Sequence, residues 1–332
     1  MTPYDSAMSG PVRSDDVSSA DGSGASPAGA PTATITSAGP VLEITESRSA
    51  QVGEHRVRRA LPRRERRTVG AWCFVDHMGP ATVEDPAAMG IGPHPHTGLQ
   101  TVTWLLSGEL RHRDSLGSDQ VIRPGQLNLM TAGNGVAHAE EANGYRGEFQ
   151  GVQLWVAQPE ATRHDAAAFE HHAELPRFEL DHGEASVLVG AAGGVTSSAR
   201  HDTDHVGIDL VLAPGASVLG LDPHHEHALV VFEGAVWVGG MSDGTVVEPG
   251  HLAYLGAGRD ELALTVREPA RALLIGGTPF ESPIVMWWNF VARSHDEVTA
   301  AQQSWNADDG RFGTVDSVLG RIASPTPPWR TG

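Results

Sequence analysis

The sequence predicts an all-β protein built from two β-barrels in tandem and closed by one short C-terminal helix. Three observations carry this prediction. Strand-like runs are short and separated by turn residues, one pattern of runs and turns occurs twice, and a single helix signature stands near the C-terminus. The chain has 332 residues, 40% of them hydrophobic. At about 100–200 residues per domain, that is material for two domains with real cores.

Taken in order, residues 1–38 come first. They are rich in Ser, Gly, Ala, Pro and Asp and poor in large apolar side chains. Such a stretch cannot bury enough surface to offset its ordering entropy, so a disordered tail is expected. From Val41 onward the pattern becomes β-type, as in 101–108 (TVTWLLSG), 126–133 (QLNLMTAG), 152–158 (VQLWVAQ), 228–240 (ALVVFEGAVWVGG) and 270–277 (ARALLIGG). Short runs bounded by Gly, Pro and Asn argue for a sandwich or barrel.

The repeat fixes the number of barrels. Residues 122–133 (IRPGQLNLMTAG) are echoed by 247–258 (VEPGHLAYLGAG), and 103–110 (TWLLSGEL) by 229–236 (LVVFEGAV). Both elements recur in the same order, which one duplicated barrel explains. The domains expected are 39–165, metal-binding, and 170–290, metal-free. Residues 291–332 supply the C-terminal helix and tail. Ser294 followed by Glu297 fits the S-x-x-E capping box at a helix start. Val298, Ala301 and Trp305 follow at near-helical spacing, and Asp308-Asp309-Gly310 closes the segment.

Composition excludes several classes of function. The formal net charge is -18, and all 23 basic residues are arginine. So acidic a chain repels phosphate backbones and anionic membranes, and no direct nucleic-acid or membrane partner is expected. The arginine-rich stretch 56–67 (RVRRALPRRERR) is read as a solvated strand and loop. No apolar run approaches the length of a membrane helix, and Met1–Ser9 has no secretory-signal pattern. Cys73 is the one cysteine, so no internal disulfide forms. A cytoplasmic monomer is the expectation. The chain contains neither a Walker-type phosphate loop nor a dinucleotide fingerprint.

The chemistry concentrates in two strand-spaced pairs. His94-Pro-His96 sets two imidazoles two residues apart, on the same face of a strand, and His138-Ala-Glu140 repeats that spacing with an imidazole and a carboxylate. If both strands line one barrel, four ligands meet at one point. Such a nitrogen and oxygen set suits Fe, Mn, Co, Ni, Cu or Zn better than Ca or Mg. It leaves two octahedral positions open, as in non-haem iron centres that take substrate and O2 together. A structural zinc more often has a closed set with cysteines. The second half is the control. The run 222–227 (DPHHEH) sits too close to Gly234 to match His96 before Gly108. Aligning Pro249 with Pro124 puts Ala263 and Thr265 where His138 and Glu140 stand. His112 and Asp114 follow a turn and are expected to shape the fold rather than act in chemistry. Asp76 and His77 carry no assigned role, and Glu141 is expected to point away from the Glu140 face.

At these residues the chain resembles the pirin family of the cupin superfamily. The resemblance rests on 94–104 (HPHTGLQTVTW), 112–117 (HRDSLG), 124–140 (PGQLNLMTAGNGVAHAE), 152–156 (VQLWV) and 290–298 (FVARSHDEV), and spans about 41–318. It implies tandem cupin (jelly-roll) barrels with one Fe(2+) per chain, held by His94, His96, His138 and Glu140. It further implies one of two activities. The first is quercetin 2,3-dioxygenase-type oxygenation of a flavonol-like aromatic, with Glu140 as catalytic base and Trp104, Leu106, Met130 and Phe149 lining the pocket. The second is an iron- and redox-dependent regulator that binds a transcription factor or metabolic enzyme. The usual family motif reads H-P-H-R-G-F-E. Thr97, Leu99 and Gln100 depart from it here, and a neutral Gln100 is expected to alter the charge near the metal.

Overall fold

The computed structural model describes residues 41–52, 55–86 and 89–329. The tail expected over 1–38 lies outside the described residues. Each barrel sets a seven-stranded antiparallel sheet against a four-stranded one. In the first, the large sheet runs Ala168–His172, Leu127–Thr131, Leu99–Ser107, Gly147–Ala157, Trp72–Val83, His55–Leu61 and Arg48–Val52. Its small sheet runs Gly90–His96, Val136–Glu141, Leu110–Asp114 and Asp119–Ile122. In the second, the large sheet runs Glu43–Glu46, His251–Gly256, Glu226–Glu233, Ala270–Gly277, His205–Leu212, Gly183–Val189 and Arg177–Leu180. Its small sheet runs Gly215–Gly220, Glu261–Val266, Val236–Val238 and Thr245–Val247.

The shared strand order is the structural form of the sequence repeat. Gly108 and Gly234 occupy the matching turns, with φ of 93° and 64°. Gly125 and Gly250 follow the paired prolines, with φ of 83° and 82°. These left-handed conformations favour glycine, which is why the Gly positions repeat while the strand residues between them diverge. Two edge strands cross between the barrels. Glu43–Glu46, at the start of the described chain, pairs with His251–Gly256 in the second barrel. Ala168–His172, in the connecting stretch, pairs with Leu127–Thr131 in the first.

The two large sheets share one apolar layer. Val102, Trp104, Val152 and Leu154 of the first pack with Val230, Phe232, Leu252 and Ile275 of the second. Burying each such side chain stabilises by about 1.5–3 kcal/mol. Polar ties reinforce the join. Trp72 Nε1 donates to the Val206 carbonyl (3.0 Å), and the Gly70 amide donates to Glu226 Oε1 (2.6 Å). His77 packs against Phe232 at 4.7 Å between ring centroids, so it belongs to this junction. Asp76 takes a buried two-pronged ion pair from Arg59, at 2.7 and 2.6 Å. Part of the arginine-rich stretch is thus internal, while Arg56, Arg58 and Arg64 face solvent.

The helix spans His295–Ala307. Ser294 Oγ accepts the Glu297 amide, and the Glu297 carboxylate accepts the Arg293 amide (3.0 Å), one residue before the cap. Val298, Ala301 and Trp305 are buried with Trp287, Trp288 and Phe290. No helix among the described residues is long and apolar enough to cross a membrane.

Candidate metal centre

Strand register brings the two pairs together. Gly90–His96 and Val136–Glu141 are antiparallel neighbours, with His94 directly opposite His138. Residues two apart share a face, so His96 joins them from the same side of the sheet. A register shift between His138 and Glu140 breaks the ladder, and Glu140 pairs with Ile91. His94, His96 and His138 each offer a nitrogen, and all three atoms lie within 4.8 Å of one another. Among the described residues this is the one group of three or more His, Cys, Asp or Glu side chains so converged.

The proton positions favour a cation. His94 Nδ1 lies 2.9 Å from the Gly92 carbonyl and must donate to it, which leaves Nε2 as a bare lone pair. His96 Nε2 and His138 Nε2 face each other at 3.0 Å. The three side chains are 1–2% exposed. Burial holds His94 at a pKa of about 4 and holds His96 and His138 well below the usual imidazole value, with repulsion from neighbouring imidazoles adding to it. Three neutral imidazoles crowded edge to edge, with no carboxylate between them, are the donor set a divalent ion completes.

Glu140 is buried on the same strand, and burial pushes its carboxyl up to about 7 against a hydrogen bond from Thr103 that lowers it. It stands outside the converged trio. Thr103 belongs to the large sheet and so ties the carboxyl to it, and Gln153 Oε1, 3.1 Å from Thr103 Oγ1, is a second acceptor for the same hydroxyl proton. Glu141 turns outward and accepts from Ser317 Oγ at 2.7 Å.

Behind the trio lies a feature that sequence reasoning passed over. His138 Nδ1 is 3.3 Å from His112 Nδ1, and His112 Nε2 is 3.0 Å from Asp114 Oδ2. The other Asp114 oxygen accepts the Leu116 and Ser118 amides, both at 2.9 Å. Asp114 therefore does cap its turn, as expected, but it also reaches the imidazole trio through His112. The signal was present: His112 and Asp114 carry the same two-residue strand spacing as the ligand pairs.

Of the expected pocket lining, Trp104 and Leu106 turn away from the barrel interior into the inter-barrel layer, whereas Met130, paired with Thr101, shares the inner face of Thr103, and Phe149 also packs inside the barrel, at its apolar end. Met130 packs with Ala132 and Val136. The Trp155 ring meets His96 edge-on at 5.2 Å. Gln100 is buried and donates to Thr131 Oγ1 on the neighbouring strand (3.0 Å). The C-terminal segment covers the site from outside: Phe290 bridges to Thr97, and the Ile322 amide donates to the Pro93 carbonyl (2.9 Å).

The second barrel differs at the same depth. Leu219, Leu262 and Leu264 of its small sheet fill the interior with Ile208, Leu229 and Leu274. Ala263 and Thr265 instead pair with Val218 and Ala216 in the ladder. His201, His205, His225 and His227 line a cavity of about 220 Å³ at the barrel mouth. Their rings stay apart, with centroids 5.9 Å between His225 and His227 and 6.2 Å between His201 and His205.

Comparison with known proteins agrees with this geometry. The family model described as Pirin matches residues 54–156, and that described as Pirin C-terminal cupin domain matches 207–313. A Pseudomonas aeruginosa protein named "putative quercetin 2,3-dioxygenase" is 45% identical over 293 residues, covering 87% of this chain and 92% of that one. Human pirin is 29% identical over 286 residues, covering 83% and 96%. A crystal structure titled quercetin 2,3-dioxygenase from Acinetobacter baumannii superposes with a TM-score of 0.83 at 40% identity, covering 88% of this chain and 97% of that one.

Proposed function

Because the chain belongs to the pirin family, we propose that it is a mononuclear non-haem iron protein with quercetin 2,3-dioxygenase-type activity on flavonol-like substrates. The observation that carries this reading is the convergence of three buried imidazoles, with one nitrogen of each within 4.8 Å of the others. Glu140, two residues along the same strand, is the fourth ligand in this reading. The ion would supply Lewis acidity and electron transfer between an aromatic enol and O2. The residues 39–165 hold it, the stretch 170–290 is metal-free, and the protein works as a cytoplasmic monomer.

Glu140 would move the proton. In the metal-free protein burial pushes its carboxyl up to about 7, and a bound divalent ion would draw it down toward the carboxylate that a base must be. Thr103 fixes where that carboxyl points. The imidazoles position the ion, and the buried setting excludes bulk water from the reacting groups.

The test is protein loaded with Fe(II) without oxygen and then given quercetin and O2. Flavonol absorbance should fall faster than in a metal-only control, and Glu140→Gln should remove most of that excess. Absorbance that tracks the control would reject the oxygenase reading. One observation favours the regulatory alternative: the imidazoles are almost fully buried beneath the C-terminal segment, as suits an ion that changes oxidation state in place. Pull-downs with Fe(II) and Fe(III) forms should then recover different partners, and identical recovery would count against it.

A further inference from the structure

His138 differs from His94 in what fixes its proton. His94 meets a backbone carbonyl, a permanent acceptor. His138 meets another imidazole, whose nitrogen can be donor or acceptor. Its tautomer is therefore decided one residue further out.

The chain of bonds runs in one direction. The buried Asp114 carboxylate only accepts: Oδ1 takes two turn amides, and Oδ2 faces His112 Nε2 at 3.0 Å. His112 Nε2 must therefore carry a proton, and in the neutral ring Nδ1 is then a lone pair. With His112 as the neutral ring, the group 3.3 Å away, His138 Nδ1, donates to it. That leaves His138 Nε2 bare, on the edge that faces His96 Nε2. Phe169 stacks on His112 at 4.3 Å and 15°, which fixes the plane of the ring. Phe169 belongs to the crossed edge strand Ala168–His172.

We propose that Asp114 and His112 form a positioning relay that sets the tautomer of His138 and so keeps its Nε2 available to the metal. This inference rests on the metal reading above and adds two residues outside the ligand set.

Asp114→Asn tests it almost isosterically. The Asn oxygen can keep both turn amides, which places its NH2 group against His112 Nε2. His112 would then have to accept there and donate from Nδ1, reversing the relay and putting a proton on His138 Nε2. The expected result is about a 10- to 100-fold loss of Co(II) or Zn(II) affinity, measured by chelator competition, with the melting temperature of the metal-free protein little changed. His112→Gln supplies the control, because its amide oxygen can accept from His138 without help from Asp114. In that background Asp114→Asn should leave affinity within about twofold of His112→Gln alone, the non-additivity expected if Asp114 acts only through His112. Imidazole 15N shifts of the metal-free protein give a direct reading. They should show Nε2–H on His112 and Nδ1–H on His138, both swapped in Asp114→Asn. Unchanged tautomers in that variant, or an equal affinity loss in both backgrounds, would overturn the relay. If the wild type binds no metal, the ligand reading falls and the tautomer pattern alone decides the relay.

Discussion

The first barrel encloses a polar cluster beside an apolar one and the second is aliphatic, although both are built on the same strand order. In the first, His94, His96, His112, His138 and Glu140 occupy the small sheet and Thr103 and Gln153 face them from the large one. In the second, leucines, isoleucine and valines close the same space. A duplicated fold has thus separated two tasks. One copy keeps a buried polar cluster that is costly until a cation completes it. The other supplies a well-packed partner on which the first is mounted through the shared apolar layer.

The largest effect should come from removing one donor of the trio. His96→Ala should abolish stoichiometric metal binding, whereas His227→Ala, at the mouth of the second barrel, should leave metal content unchanged. Elemental analysis of the purified proteins checks both, and equal losses would break the contrast between the barrels. Next is packing: Leu264→Ala should destabilise by about 2–5 kcal/mol in chemical denaturation, with bound metal retained.

A subtler effect separates the interiors by pH. Burial raises the Glu140 carboxyl to a pKa of about 7 from an ordinary value of 4.5. Below pH 4.5 it is protonated in both folded and unfolded states and carries no penalty. Between 4.5 and 7 the unfolded state ionises first, and the metal-free protein loses stability as pH rises, by about 3 kcal/mol in full. Glu140→Gln should therefore stabilise the metal-free protein at pH 8 and make little difference at pH 4. Denaturation midpoints at the two pH values measure this, and equal shifts at both would remove the electrostatic account. The smallest effect expected is at the surface: His224→Ala, exposed beside Asp222, should change neither metal content nor midpoint.

Much of the contrast was legible because it rests on local rules. The repeated turns required glycine at left-handed positions, so Gly108, Gly125, Gly234 and Gly250 marked the duplication directly. Residues two apart share a strand face, so H-P-H announced a common side for His94 and His96, which His138 joins from the neighbouring strand. What stayed hidden was non-local. Nothing near Glu43–Glu46 signals a partner more than 200 residues away, and nothing near Ala168–His172 signals its return to the first barrel. Two residues of the expected pocket lining were misplaced for a related reason. The large sheet is buried on both faces, so Trp104 and Leu106 gave no alternation to tell the barrel interior from the inter-barrel layer. His112 was read through its turn, while its ring reached His138 on the adjacent strand.

The central claim is that one barrel holds a metal ion and its sibling does not. Anomalous diffraction at the iron edge, from crystals of Fe(II)-loaded protein, tests it most directly. The account predicts one strong peak per chain, bounded by His94, His96 and His138 with Glu140 turned toward it. A peak at the His205 and His227 cavity instead, or no peak among the three imidazoles, would contradict it.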